Sequence, residues 1–421
     1  MPAGVWSPHH EHAMKVCVVG AGVVGCATAF ELALAGHQVT LMDAAAGPGM
    51  GTSFANGAQL SYSYVEPLAN PATLRALPKL LTDPASPVRF RLRADPHQWA
   101  WGARFLLACT RSAAQAGTGA LLALGALSRQ TLDGWVRDHG LAFSLRRNGK
   151  LVLCADAAML QAQAQQVQLQ ARTGAVQQVL GRSECLAHEP ALAEHPGFVG
   201  GVWTPDECAG DPYQYCQSLV ALLRKAGGQC LFGTTAQGFE LRGVRAVAVR
   251  TPRGAVDADA FVIANGLQAR QLAAGLGERL ALYPIKGYSM TLKYRPGARA
   301  PQVNVTDLAH KMVLAPLDGA LRVAAMAEIT GAGLAIPTDR LQRMSQAVED
   351  IYPGLCSFEE SRPWAGLRPA TPDSVPIIRA ARRAANVILN VGHGALGFTL
   401  AAGSARRVRG LLPGGAPPQE G

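Results

Sequence analysis

Apolar positions along the chain fall into two rhythms. Short, β-branched runs such as residues 16–19 and 260–264 have the length and composition of strands buried on both faces. Segments with apolar residues every third or fourth position predict helices instead. The first run passes into Gly20-Ala21-Gly22-Val23-Val24-Gly25, after which Ala27, Phe30 and Leu34 recur at helical intervals and Gly36 offers a stop. A second strand, Gln38–Met42, ends at Asp43. Helices are predicted over residues 97–110, 121–139, 161–172 and 212–227, and strands over 229–232, 238–241, 246–251, 282–294 and 312–325. A hairpin is predicted over 143–154, turning at Asn148-Gly149. The last strand, 387–391, again runs into a glycine turn and a helix, 392–408, and no internal repeat is visible.

The front turn is a G-x-G-x-x-G between a legible strand and a legible helix. Gly20 permits the sharp turn, Gly22 lets a pyrophosphate approach the backbone, and Gly25 lets helix and strand pack closely. The helix then offers free N–H groups and its positive dipole end to phosphates. Asp43 lies eighteen residues past Gly25, where a carboxylate accepts bonds from ribose hydroxyls and repels a 2′-phosphate. This predicts an adenine-dinucleotide site; a βαβ unit without ligand is the alternative. Strand–glycine–helix endings at both extremes of the chain, converging on one ligand, call for a long cofactor. FAD fits that geometry better than NAD, with the central chain forming a separate domain.

With 421 residues, 49% of them apolar and 16% charged, the chain is long enough for two domains or one elaborate α/β unit. The net charge of +10 is scattered apart from Arg89, Arg91 and Arg93 and from Arg406, Arg407 and Arg409. Such an excess attracts anionic substrates and anionic lipid, and no basic-aromatic array suggests nucleic acid. The nine cysteines contain no C-x-x-C pair, so neither a metal site nor a disulfide framework is expected, and a reducing compartment is the simpler inference. No apolar run is long enough for a membrane span. Residues 1–13, with His9-His10-Glu11-His12, read as a frayed leader without a secretory h-region, and 413–421 as a disordered tail. The long, loop-rich stretch 47–70 reads as functional.

Over residues 14–412 the sequence resembles the D-amino-acid dehydrogenase branch of the D-amino-acid oxidase and glycine oxidase (DAO) superfamily of flavoproteins. Besides the front turn, the resemblance lies in SFANGAQ (53–59), PIKGYS (284–289), WAGLRPATPDSVPII (364–378) and GHGALGFTLAAGS (392–404). It implies an α/β fold: a doubly wound, Rossmann-like FAD-binding domain with a second α+β substrate domain built on an antiparallel sheet over the flavin. The FAD domain is expected from residues 14–65, 205–272 and 365–412, and the substrate domain from 66–204 and 273–364. The cofactor is expected to be noncovalent FAD.

Carried over residue by residue, the resemblance expects FAD to meet Gly20, Gly22, Val23, Val24, Gly25, Asp43 and Ala44, then Thr52, Ser53, Asn56 and Gln59. It adds Ala236 at the adenine, and Ala264, Asn265 and Gly266 at an end-of-strand turn. At the second glycine turn it adds Gly392, His393, Gly394, Leu396, Gly397 and Thr399. A helix N-terminus aimed at the flavin N1–C2=O locus favours the negative charge of reduced flavin. His393 reads as structural or ring-adjacent, with a general-base role as the lesser reading. Arg368 stands at the family's carboxylate-binding position, where a guanidinium fork orients a carboxylate; structural pairing with Asp373 or Glu360 is the alternative. Tyr62, Tyr64, Tyr283 and Tyr288 are pocket candidates. Lys286 is placed near the flavin or the substrate carboxylate, with a snorkelling lysine as its alternative. The expected catalytic set is therefore Arg368, Tyr288, Lys286 and Tyr62.

The implied reaction is oxidative deamination of a D-amino acid by hydride transfer from Cα to flavin N5, giving a 2-oxo acid and ammonia. Electrons pass to quinone or another acceptor. The rivals are a secondary-amine (glycine, sarcosine or proline-type) oxidase or dehydrogenase, and a subunit of an opine- or cyanide-forming complex. An NAD-dependent dehydrogenase and a non-enzymatic binding module stand further off. A homo- or hetero-oligomer is allowed for. A quinone acceptor would place the protein in the cytoplasm, peripheral at the inner membrane face. Trp99, Trp101, Phe105 and Leu106 form either an interfacial helix or a packed internal one.

Overall fold

A computed structural model describes residues 13–63, 65, 67–82, 86–171 and 174–412. Tyr64, the histidine group at 9–12 and the expected tail at 413–421 lie outside the described residues. Among the described residues, six strands form the first sheet. Their order from edge to edge is Ile377–Ala381, Ala384–Val391, Ala260–Ile263, Lys15–Val19, Gln38–Met42 and Gln229–Leu231. All neighbours are parallel except the first pair.

The central strands are apolar throughout because both faces are covered. On one face Val16, Val18, Val39, Leu41 and Val262 pack with Phe30, Leu219 and Ala401 of the helices Val23–Leu34, Pro212–Lys225 and Gly397–Leu411. On the other, Cys17, Val19, Phe261 and Ile263 pack with Phe239, Ala246 and Val249 of a three-stranded antiparallel sheet, Gly238–Arg242, Arg245–Thr251 and Gly254–Asp257. The long helix Arg111–His139, capped by the Thr110 hydroxyl, lies against Gly397–Leu411.

Among the described residues the second sheet has nine strands, the main path running Cys356–Ala370, Tyr283–Tyr294, Ala320–Ile329, Met312–Leu317, Asn304–Asp307, Lys150–Cys154, Gly200–Thr204 and Gln178–Gly181. It is antiparallel except where Asn304–Asp307 meets Lys150–Cys154 and where Val88–Phe90 joins Ala320–Ile329. The helix Thr338–Ile351 covers one face, setting Met344 and Val348 against Met290, Leu292 and Val323. Strand Cys356–Ala370 runs through residue 365, where the sequence places a domain border, and stays paired with Tyr283–Tyr294 as far as Ala370. A two-stranded bridge, Gln59–Leu60 with Cys208–Ala209, completes the strand pairing.

Two expectations need correction. The predicted hairpin over 143–154 does not form. Lys150–Cys154 is buried along its whole length and pairs with Gly200–Thr204 and Asn304–Asp307, while Arg146 makes only a single bridge to Ala209. Asn148 spends its turn-forming amide on Gln302 and Asn304, so the Asn-Gly signal steers the chain into a strand whose partners are distant. The helix Pro96–Ala108 does not present Trp99, Trp101, Phe105 and Leu106 on one face. Trp101 and Phe105 are buried against Tyr283 and Ile285, whereas Trp99 and Leu106 are exposed. No described helix is long and apolar enough to cross a membrane.

The edge strand Ile377–Ala381 is held by Glu278. Its carboxylate accepts from Arg379 Nη1 at 3.0 Å and Nη2 at 2.8 Å, and from the Arg382 amide at 2.7 Å. The Arg379 guanidinium, above all, brings the Glu278 carboxyl down to about 2. A carboxyl depressed on folding stabilises above its unfolded value of about 4.3 and loses that contribution as pH falls toward its folded one. Glu278→Gln is expected to cost about 1–2 kcal/mol near neutral pH, allowing for the partly exposed Arg379. The difference should shrink between about pH 4 and pH 2. Denaturant titrations of both proteins across that range check this, and a pH-independent difference contradicts it.

Candidate active site

Strand Lys15–Val19 delivers the chain into the front turn with Gly20 at φ +109°. A Cβ on Gly20 would lie 2.6 Å from the Ala264 carbonyl, and one on Gly25 would lie 1.7 Å from the Gly20 oxygen. Neither position tolerates a side chain. Gly22 begins the helix in extended backbone, and Ser53 Oγ, from a different segment, accepts from the Val23 amide at 3.0 Å. Ser53 thereby caps the helix from outside. Val24 lies within it, its carbonyl accepting from the Thr28 hydroxyl.

The two carboxylate oxygens of Asp43 accept from the Ala21 amide at 2.6 Å and the Ala45 amide at 2.7 Å. Beside Asp43 opens a cavity of about 350 Å³. Its lining includes the expected Gly20, Asp43, Ala44, Ala236 and Asn265. Thr234, Thr235, Gln268 and Gln271 also line it and were not expected; nothing but their nearness to Ala236 and Asn265 in sequence pointed to them. Asn265 Oδ1 is buried there without a partner, and Gly266 follows at φ +61°.

The second glycine turn has Gly392 at φ +84° and Gly394 at φ +54°. A Cβ on Gly397 would lie 4.0 Å from Val23 Cγ2, so the two helix starts meet although the chain separates them widely. Both point positive ends toward the same region. His393 Nε2 lies 2.8 Å from Ser404 Oγ, and burial brings the imidazole down to about 3. It is neutral at physiological pH and tied to its own helix, which favours the structural reading. Thr399 accepts from the Ser61 amide at 3.1 Å, and Leu396 packs with Val65 and Leu121.

The loop between the two sheets is stitched to the second. Thr52 Oγ1 donates to Leu367 O at 2.8 Å, and Gln59 Nε2 to Val305 O and Leu314 O at 3.1 and 3.2 Å. Asn56 Oδ1 accepts from the amide of Ala58, which sits at φ +58°. Arg322, absent from the expected set, donates to Asn56 O at 3.0 Å and Thr291 Oγ1 at 2.8 Å while nearly buried. A charge near the start of the mostly apolar run ALRVAAMAEI, which also carries Glu328, was its one sequence signal.

Alternation along Tyr283–Tyr294 then sorts the remaining candidates. Gly287, Ser289 and Thr291 face that loop, Ser289 Oγ bonding Ala55 O. Arg368 lies on this face: its Nη2 would be 2.3 Å from a Cβ on Gly287, and Nη1 donates to Met326 O at 3.0 Å. Met326 holds φ +70°, a strained conformation for a non-glycine residue, where the pairing slips between Lys286 and Tyr288. Among the described residues Arg368 has no acidic partner. Asp373 accepts from the Val375 amide and Glu360 pairs with Lys293. Burial lowers the Arg368 pKa without a countercharge to offset it.

Lys286 and Tyr288 fall on the opposite face, a correction to the expected catalytic set. Tyr288 OH donates to Glu328 Oε2 at 2.8 Å, Lys286 Nζ lies 3.5 Å from the same oxygen, and Arg340 Nε lies 2.9 Å from Oε1. Burial, then the Glu328 carboxylate, pushes the Tyr288 phenol upward. Arg368, on the neighbouring strand, pairs with Ile285, an odd position of Tyr283–Tyr294, so it lies on the face opposite the even positions Lys286 and Tyr288. Tyr62 is corrected too: it is buried in the helix-side core with Trp135, Phe143 and Tyr215, and burial raises its hydroxyl pKa strongly. Tyr283 packs with Trp101 and Phe105.

The profile of the DAO family, described as FAD dependent oxidoreductase, matches residues 15–411. The chain belongs to this family. It is 42% identical over 415 residues to D-amino acid dehydrogenase 2 of Ralstonia nicotianae, covering 96% of this chain and 97% of that protein. Identity is likewise 42% over 425 residues to D-amino acid dehydrogenase 2 of Pseudomonas aeruginosa, covering 96% and 99%. Among solved structures the fold is similar to L-proline dehydrogenase from P. horikoshii, with a TM-score of 0.73, 18% identity and coverage of 96% and 94%. It is also similar to glycine oxidase from Geobacillus kaustophilus, with a TM-score of 0.72, 21% identity and coverage of 95% of both chains.

The DAO-family fold accounts for the doubly wound sheet beside a largely antiparallel one. The residues present fit FAD. The cavity beside Asp43 combines a carboxylate, an unpartnered amide oxygen at Asn265 and the threonine pair 234–235, a donor and acceptor set suited to an adenosine. The two helix starts supply positive ends for pyrophosphate and flavin. Gly25→Ala is expected to abolish the flavin colour of the purified protein, because the methyl group overlaps the Gly20 carbonyl. An intact flavin absorbance band in that variant contradicts the assignment.

Proposed function

We propose that this FAD-dependent oxidoreductase oxidatively deaminates a D-amino acid. The observation that supports this best is Arg368: a part-buried guanidinium without an acidic partner among the described residues, lying over Gly287 on the face turned to the flavin loop. A planar fork binds a carboxylate through two parallel bonds and fixes its orientation. The names of relatives 36–42% identical support a D-amino acid as the donor of that carboxylate.

Arg368 clamps the substrate carboxylate, Met326 O fixes the guanidinium, and the neutral amine and Cα are thereby oriented. When bound, FAD supplies a hydride acceptor at N5. Cα loses a hydride and the amine a proton, leaving an imino acid that water hydrolyses to a 2-oxo acid and ammonia. His393 is neutral and bonded to Ser404, so the amine proton leaves to solvent on binding rather than to a dedicated base. Electrons then pass to a membrane quinone on the cytoplasmic side. The exposed Trp99, Leu106 and Leu107, beside Arg104, make the contact with anionic lipid.

Anaerobic mixing with D- and L-amino acids, glycine, sarcosine and L-proline tests this by the bleaching of the flavin band. D-amino acids are expected to bleach it, and a soluble quinone to restore it faster than oxygen. Bleaching by L-proline or sarcosine alone contradicts the proposal. Arg368→Ala should raise KM roughly a hundredfold with normal flavin content. Tyr288→Phe, on the other face, should leave KM within about twofold while lowering stability by about 1–3 kcal/mol. Equal effects on KM contradict the division of the two faces.

A further inference from the structure

We propose that the indole of Trp364 sets which side chains the substrate can carry; the proposal rests on the D-amino-acid reading above. Along Cys356–Ala370, Trp364, Gly366 and Arg368 share one face at two-residue spacing. Gly366 is paired directly with Gly287 of the neighbouring strand. A Cβ on Gly366 would meet Cη2 of the Trp364 ring at 1.9 Å, as one on Gly287 would meet the Arg368 guanidinium at 2.3 Å. Each planar group therefore occupies the space over one member of the glycine pair. Directly paired residues stand about 4.5–5.5 Å apart. Indole and guanidinium are thus neighbours on the surface that also carries Ser289 and the Met326 carbonyl, the surface turned to the flavin loop.

A carboxylate seated on the fork has its Cα one carbon–carbon bond away, about 1.5 Å. Two further bonds carry a side chain across the strand spacing onto the indole. The surface it meets there is apolar and flat. The buried charged groups nearby are otherwise engaged, and Arg362, beyond Trp364 on the same strand, is exposed. Lys286 and Arg340 both pair with Glu328 on the opposite face, and Arg322 holds Thr291 and Asn56 and lies 3.6 Å from Asp211. An unbranched or aromatic apolar side chain of two or more carbons gains the ring contact. A methyl group is too short to cover the ring, and a second carboxylate meets it unpaired. Trp364 and the two glycines thus act as one unit, because a side chain at residue 366 would displace the ring.

The holoenzyme and its Trp364→Ala, Trp364→Phe and Trp364→Leu variants test this through kcat/KM for D-alanine, D-norvaline, D-phenylalanine and D-glutamate. The wild type is expected to favour D-norvaline and D-phenylalanine over D-alanine by roughly tenfold, and over D-glutamate by more. Trp364→Ala should bring those ratios to within about threefold, chiefly through KM, with the flavin band unchanged. Trp364→Phe should keep the order. An unchanged D-phenylalanine to D-alanine ratio in Trp364→Ala overturns the proposal; should that variant lose flavin, the same ratio is read in Trp364→Leu. A wild type that prefers D-glutamate overturns it as well, while leaving deamination intact. A wild-type flavin that no D-amino acid bleaches overturns the deamination reading and this inference together.

Discussion

The backbone of Gly20 touches the turn at Ala264 and Asn265, and the start of the first helix touches Gly20. These contacts, at distances no Cβ would allow, draw the ends of two parallel strands and a helix N-terminus to one point. Ala384–Val391 lies beside Ala260–Ile263 in the same sheet and delivers the second glycine turn to the same end. Everything that prepares a long anionic cofactor site follows from that convergence: the Asp43 carboxylate fixed by two amides, the cavity beyond it, and two helix starts in contact. A sheet with even one of those strands displaced would bring the two turns to different places.

Opposite that site, the second sheet solves an electrostatic problem by parity. Its strands carry several buried charges near one level, and mixing them would let Glu328 neutralise Arg368. Instead Ser289 and Thr291 of Tyr283–Tyr294 face the loop at 52–59, while Tyr288, Met290 and Leu292 face the helix Thr338–Ile351. Glu328 consequently satisfies Lys286, Tyr288 and Arg340 beneath the sheet. Among the described residues Arg368 has no acidic partner above it and donates to the Met326 carbonyl. The strained φ of Met326 sits at the pairing irregularity, where local geometry aims that carbonyl. Stability lost at one residue is stored where it fixes the Arg368 guanidinium.

The first sheet was legible because its signals are local. Val16–Val19, the glycine turn and the helix after it follow each other directly, and the same grammar repeats near the end of the chain. The Asn148-Gly149 turn misled for a physical reason: its amide bonds reach residues 302 and 304, which no local pattern reveals. Lys286 and Tyr288 entered as pocket and substrate candidates, but resemblance alone could not say which face they take. That required the register against residues 325–328 and 365–368. Arg322 and the cavity residues Thr234 and Gln268 matter only through partners far along the chain, and Trp364 only through Gly366.

The central claim is that substrate binds on the Arg368 face, between the paired glycines and the flavin. A crystal structure of the FAD-loaded protein with a bound D-amino acid or an unreactive carboxylate analogue tests this most directly. The carboxylate is expected in a two-bond contact with Arg368, above Gly287 and Gly366. A carboxylate bound instead at Lys286 and Arg340, on the side of helix Thr338–Ile351, would contradict the account.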